Sequence, residues 1–138
     1  MTTRTKQWTP PRGEVEMVQV GLHWDAVRAP AEIGERALAL LDNRSGAVIA
    51  DYGQMYWLIP RGHAADWGRL HRDIHALGAH GAEVTYLGVP PTSWTEGPRL
   101  HWRIPMGPDR YVTDPHLLRL AMARALAESD TGEEATAR

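Results

Sequence analysis

From Met55 to Ile59 the chain reads Met-Tyr-Trp-Leu-Ile, an apolar and aromatic run with no polar break. Asp51-Tyr52-Gly53-Gln54 precedes it and Pro60-Arg61-Gly62 follows it. Both flanks are turn-forming, so the run reads as a strand. Successive side chains of a strand point to opposite faces, which places Tyr56 and Trp57 on opposite sides of a sheet. Val84 and Tyr86 oppose Leu87 and Val89 in the same way. Any fold of this chain must therefore deal with large apolar residues on both faces of its sheet.

The remaining elements follow from periodicity and punctuation. Met17 to Arg28 reads as extended, with Gly21 marking a bulge or bend. Ala31 to Leu41 reads as a helix: Pro30 stands at its start, Glu32 and Glu35 lie in its first turns, and Ile33, Ala37, Leu40 and Leu41 share one face. Ala47 to Ala50 and Met55 to Ile59 form a hairpin across residues 51–54. Trp67, Leu70, Ile74 and Leu77 recur at helical spacing, so 64–77 is expected to be a second helix, weakened by Gly68. Strands are expected over 83–89 and 100–104. A last helix is capped by Asp114 with Pro115 at its first position, and Leu118, Ala121, Met122 and Ala125 form its apolar stripe.

The expected fold is α+β, a mainly antiparallel sheet of about five strands with three helices in the order β-α-β-β-α-β-β-α. Residues 1–13 are expected to be a flexible arm, with Trp8 able to dock it. Residues 14–128 form a single domain, and 129–138 are expected to be a disordered tail. With three helices on one face, the other face keeps exposed aromatics. Helices on both faces, or a sheet curled over its own aromatics, are the alternatives.

Composition removes whole classes of chemistry. There is no Cys, which excludes disulfides, thiolate nucleophiles and iron–sulfur clusters. There is no Phe, so aromatic core mass must come from six Trp and four Tyr. Each buried indole N–H then calls for an acceptor. The net charge of −2 gives no chain-wide basic field for nucleic acid. No apolar stretch reaches the length of a membrane span, and the N-terminal residues lack a secretory apolar region, so the expected compartment is the cytoplasm.

Motifs for catalysis are incomplete. His71, His75 and His80 resemble an extended zinc-protease pattern, but Arg72 stands where the general-base Glu belongs and the third His comes one residue early. No metal or other cofactor is expected. Ser45, Ser93 and Ser129 lie in no nucleophile elbow, and no Walker loop is present. Asp25 and Asp51 stand alone, with no strand-borne Asp-x-Asp for two-metal chemistry. Leu22-His23-Trp24 and Leu100-His101-Trp102 echo each other, and the two histidines share a face if their strands are neighbours. Trp24, Tyr56, Trp57, Tyr86 and Trp102 read first as core, and only secondarily as a stacking platform with Arg28, His101 and Arg103.

Four stretches taken in order, Trp24-Asp25-Ala26-Val27-Arg28, Tyr56-Trp57-Leu58-Ile59-Pro60-Arg61-Gly62, Gly88-Val89-Pro90-Pro91 and His101-Trp102-Arg103-Ile104-Pro105, resemble small proteins of high-GC bacteria related to the N-terminal domain of bifunctional DNA primase–polymerases. The resemblance spans about Val20 to Leu126. It implies a related scaffold without the catalytic metal site, because the family's Asp-x-Asp pair is missing here. No catalytic residue is expected.

Two readings follow. The first is a non-enzymatic binding or regulatory module acting through a protein partner or homo-oligomer, with Trp57, His101, Arg103 and Arg61 as binding residues. The second is a nucleotide- or nucleic-acid-handling domain. Clustering of Arg28, Arg61, Arg99, Arg103 and Arg110 on one face favours the second, and scatter favours the first.

Overall fold

The computed structural model describes residues 8–79 and 84–136. Its strands are β1 (Glu16–Gln19), β2 (Trp24–Pro30), β3 (Val48–Asp51), β4 (Gln54–Pro60), β5 (His75–Leu77), β6 (Tyr86–Val89) and β7 (His101–Ile104), and its helices are α1 (Ala31–Leu41) and α2 (Pro115–Thr136). The architecture is α+β and antiparallel throughout its pairings. A five-stranded sheet has the order β5-β2-β4-β3-β7, and β1 and β6 form a separate two-stranded ribbon.

The β3–β4 hairpin closes at Tyr52 and Gly53, both at positive φ (42° and 85°), the geometry of a two-residue primed turn that matches strand twist. The Gly53 carbonyl accepts the first helical N–H of α1, from Ala31, at 2.7 Å. Gly34 lets α1 lie against β4: a Cβ there would come 2.6 Å from Met55 Sδ. At the other end of α1, Arg44 donates to the carbonyls of Leu40 (3.1 Å) and Leu41 (3.4 Å), satisfying acceptors that the helix leaves open. Asp114 caps α2 as expected, its Oδ1 accepting from His116 N (2.9 Å) and Leu117 N (3.1 Å). α2 continues through the acidic segment whose composition suggests a tail.

There are two α-helices among the described residues, not three. The stretch expected to be helical over 64–77 forms a short 3-10 turn, His63–Asp66, then an irregular loop and β5. Gly68 sits at φ 73°, in the left-handed region that ends a helix. The carbonyls of Trp67 and Arg69 are bonded by the Arg119 guanidinium of α2 (2.8 and 3.4 Å) and not by later N–H groups of a helix. Trp67 and Ile74 are still buried in the helix-side core, so burial at helical spacing is achieved here without a helix.

The extended reading over 17–28 divides at Gly21 (φ 100°) into β1 and β2, which belong to different sheets. That division closes the second face. On the helix side, Val27, Ala29, Val48, Met55, Trp57 and Ile59 pack beneath α1 and α2. On the other side, Trp24, Ala26, Ile49, Leu58 and Trp102 pack against Val18, Leu87 and Val89 of the ribbon. The expected exposed aromatic face of the large sheet is therefore covered by the ribbon. Trp8, inside the stretch expected to be a loose arm, meets Trp24 edge-on at 5.4 Å and stacks on His23 at 6.0 Å.

The indole N–H groups are met unevenly. Trp57 donates to Ser45 Oγ at 3.2 Å and Trp102 to the Pro90 carbonyl at 2.9 Å. Trp24 and Trp67 bury Nε1 with no acceptor, and the Trp67 ring instead carries the Arg119 guanidinium 5.6 Å from its centroid.

Candidate functional site

The four residues expected to bind are not brought together. Trp57 is fully buried and committed to the core through Ser45, so it is removed as a contact residue. Its parity on β4 points it under the helices, into the helix-side core. Arg103, on β7, makes a two-pronged ion pair with Glu35 of α1, both N···O distances being 2.8 Å. That bond raises the Arg103 pKa, and the guanidinium serves to tie α1 to the sheet edge. His101 holds its Nδ1 2.6 Å from the Arg99 carbonyl, so Nδ1 carries the proton. Of these four, Arg61 alone is exposed and has no hydrogen-bond or ion-pair partner among the described residues.

The arginines scatter. Arg28 lies in register with Tyr56 on the ribbon side of the sheet, Arg103 reaches the helix side, and Arg61, Arg99 and Arg110 occupy separate loops. The His-Trp echo carries Trp24 and Trp102 into one core cluster, but β2 and β7 are not neighbours. The histidines are therefore not joined. His71 and His75 lie on a turn and on β5, and His80 falls outside the described residues.

Asp25 is 1% exposed. Its Oδ2 accepts from the backbone N–H groups of Gly62 and Ala64, both at 2.9 Å, while Oδ1 is buried without a partner. The carboxylate thus anchors the start of the 3-10 turn, and with Arg61 and Gly62 it lines a hollow of about 250 Å³. On the far side of that turn, Ala64 and Ala65 wall a second hollow of about 420 Å³, whose polar lining is Arg69, His71, Arg72 and His75.

The ribbon presents the other feature. Val18, Leu87 and Val89 face the core, so alternation turns Val15, Met17, Val84 and Tyr86 outward. Met17 is 62% exposed, Val84 58% and Tyr86 56%. Met17, Val15 and Leu100 side chains converge over Gly88, within 3.6 to 3.8 Å of where its Cβ would be. Leu100 also borders a hollow of about 380 Å³ beside the exposed Trp94. These residues form an apolar band on the outside of the molecule. The sequence signal for it was Gly21: once the chain bends there, Val15 and Met17 belong to a separate strand whose outward parity is apolar. Arg69 and Arg72 were similarly hidden by the helical reading of their segment, which the left-handed Gly68 overturns.

Compared with known proteins, the chain matches no family model, no curated protein and no solved structure. Among the described residues no helix is long and apolar enough to cross a membrane, and no cluster of three or more His, Asp or Glu side chains is placed to hold a metal ion.

Proposed function

We propose that this chain is a non-enzymatic binding or regulatory module that works through protein–protein contact on the outer face of the β1–β6 ribbon. The observation that carries the reading is the apolar band of Val15, Met17, Val84 and Tyr86, exposed on a layer that already covers a core. Contiguous exposed apolar surface of this kind marks interaction sites, and Trp and Tyr are enriched where binding energy concentrates.

The occupant that fits is a second copy. Among the described residues β6 pairs with β1 alone, leaving an edge without a strand partner, and its residues Tyr-Leu-Gly-Val carry no charge. Edge strands are ordinarily blunted by charge or proline. Two β6 strands paired antiparallel about a twofold axis continue both ribbons into one sheet and set the two apolar bands side by side on one face. The dispersal of Arg28, Arg61, Arg99, Arg103 and Arg110 gives no comparable support to a nucleic-acid surface.

Light scattering after size exclusion tests this. The wild-type chain is expected at twice the monomer mass, and Tyr86→Lys, which places a charge on the edge, at the monomer mass with an unchanged thermal melt. A monomeric wild type at the highest concentration reached, or a dimer indifferent to Tyr86→Lys, overturns the second copy as occupant.

A further inference from the structure

The 420 Å³ hollow beside the 3-10 turn has a lining unlike the rest of the surface. Arg69, His71, Arg72 and His75 stand around a floor that includes Ala64, Ile74 and Ala76, and no carboxylate lines it. The chain as a whole carries −2, whereas here two arginines and two histidines are set against one neighbouring carboxylate, that of Asp73. Its cations are underused. The Arg69 guanidinium has no hydrogen-bond or ion-pair partner among the described residues. Arg72, 82% exposed, has only Asp73 at 3.8 Å, and the same carboxylate stands 4.0 Å from His71 Nδ1, exposed contacts that water and salt screen. Asp73 also donates its backbone N–H to His71 Nδ1 at 3.1 Å. The neutral ring therefore carries its proton on Nε2, leaving that nitrogen as a donor.

The loop that bears these groups is held from behind. Arg119 bonds the carbonyls of Trp67 and Arg69 and lies over the Trp67 ring. Asp25 fixes the opposite wall through Gly62 and Ala64. The donors thus stand on a braced frame, which lowers the ordering cost of binding. The volume falls in the range of small-molecule sites. Arg28 is the strand partner of His75, while Arg61, Arg99, Arg103 and Arg110 lie on separate elements, an arrangement that favours a compact ligand over a polymer.

We propose that this hollow is a binding site for a small multiply charged oxyanion of the phosphate-ester or pyrophosphate kind, gripped by Arg69 and Arg72 with the imidazoles of His71 and His75 as further donors. A compact polycarboxylate presents related chemistry, and the experiment separates the two.

Isothermal titration of the full chain with inorganic pyrophosphate, and in parallel with citrate, is the test. Pyrophosphate is expected to bind, more weakly as salt is raised. Arg69→Ala and Arg72→Ala are each expected to weaken it about tenfold or more, the scale of a lost charge-assisted hydrogen bond. Arg69→Lys, which keeps the charge but loses the fork, falls between. Arg99→Ala, distant from the hollow, and Tyr86→Lys, on the ribbon, leave affinity unchanged, so this site and the ribbon contact stand or fall separately. Citrate binding of equal strength reassigns the ligand to oxyanions in general and overturns the phosphate specificity. Absence of binding to either anion overturns the site. So does an equal loss in Arg99→Ala, or a tighter, Arg99-dependent association with a single-stranded oligonucleotide. Thermal melts of each variant confirm folding, and Arg72, being the more exposed, carries the test if Arg69→Ala does not fold.

Discussion

One face of the five-stranded sheet is covered by two helices and the other by a two-stranded ribbon, and the two coverings leave different outer surfaces. α1 buries Ile33, Ala37, Leu38 and Leu41, and turns Glu32, Glu35 and Arg36 outward. A helix with a period of 3.6 can hold a narrow apolar stripe and keep most of its girth polar. A strand cannot: half of its side chains face outward, and in β1 and β6 that half includes Met17 and Tyr86. The outer face of α1 is finished by its charged surface, down to the Glu35–Arg103 pair that ties it to the sheet edge, and on α2 Leu120 is the large apolar side chain left exposed among the described residues. The ribbon side closes one core and exposes the beginning of another surface, which is why the proposed contact falls there.

The largest expected effect asks whether the two sides are one core. Trp57 lies on the helix side and Trp102 on the ribbon side, both buried and both hydrogen-bonded. Trp57→Ala and Trp102→Ala are each expected to cost about 3–5 kcal/mol in urea unfolding, with a single transition. A much smaller cost for Trp102→Ala breaks the comparison by showing the ribbon to be a loosely attached layer.

Next comes the anchor shared by the two hollows. Asp25→Ala leaves the N–H groups of Gly62 and Ala64 without their carboxylate acceptor. It is expected to cost about 2–3 kcal/mol, with Asp25→Asn costing less because one acceptor oxygen remains. An equal cost for the two variants shows that charge, and not hydrogen bonding, is what the turn requires.

Trp8→Ala removes the half-buried edge-on contact with Trp24 and the stack on His23. It is expected to cost about 1–2 kcal/mol, read from the shift in denaturation midpoint. No shift returns residues 8–13 to the loose arm that their composition suggests. On the opposite side, Arg103→Ala breaks a partly exposed ion pair and is expected to cost no more than about 1 kcal/mol, less in high salt.

The last effect appears only at alkaline pH. Burial raises the pKa of the Tyr111 phenol above its usual 10.0, partly offset by a hydrogen bond from the Trp8 backbone. The folded state then holds the proton more tightly than the unfolded state. The contribution is complete below the unfolded pKa and is lost as pH rises through the folded one. Stability is expected to fall above pH 10 and to fall less steeply in Tyr111→Phe, as followed by thermal melts across that range.

Local chemistry was legible wherever one short segment held the whole instruction. α1 occupies the range its stripe and Pro30 indicated, Asp114 and Pro115 open α2 where the cap chemistry placed them, and the 51–54 turn forms at Tyr52-Gly53. The apolar stripe Leu118, Ala121, Met122 and Ala125 is buried as its spacing required. Helical spacing failed over 64–77 because burial of Trp67 and Ile74 can be met by any backbone path that returns to the core. The path is chosen by Gly68 together with Arg119, fifty-two residues beyond Trp67.

What the sequence by itself determined is that both faces of the sheet carry apolar side chains, since Tyr56 and Trp57 are neighbours on one strand. Which layer covers which face was decided by tertiary structure. Strands separated by about seventy residues pair to make the ribbon, with Val18 set against Leu87. Neither β1 nor β6 encodes its partner, because four-residue strands bear too little side-chain pattern to specify a register without the core they close. The cationic hollow has the same origin: Arg69, His71, Arg72 and His75 are plain in the sequence, but their common opening exists only because the chain leaves the helical path at Gly68.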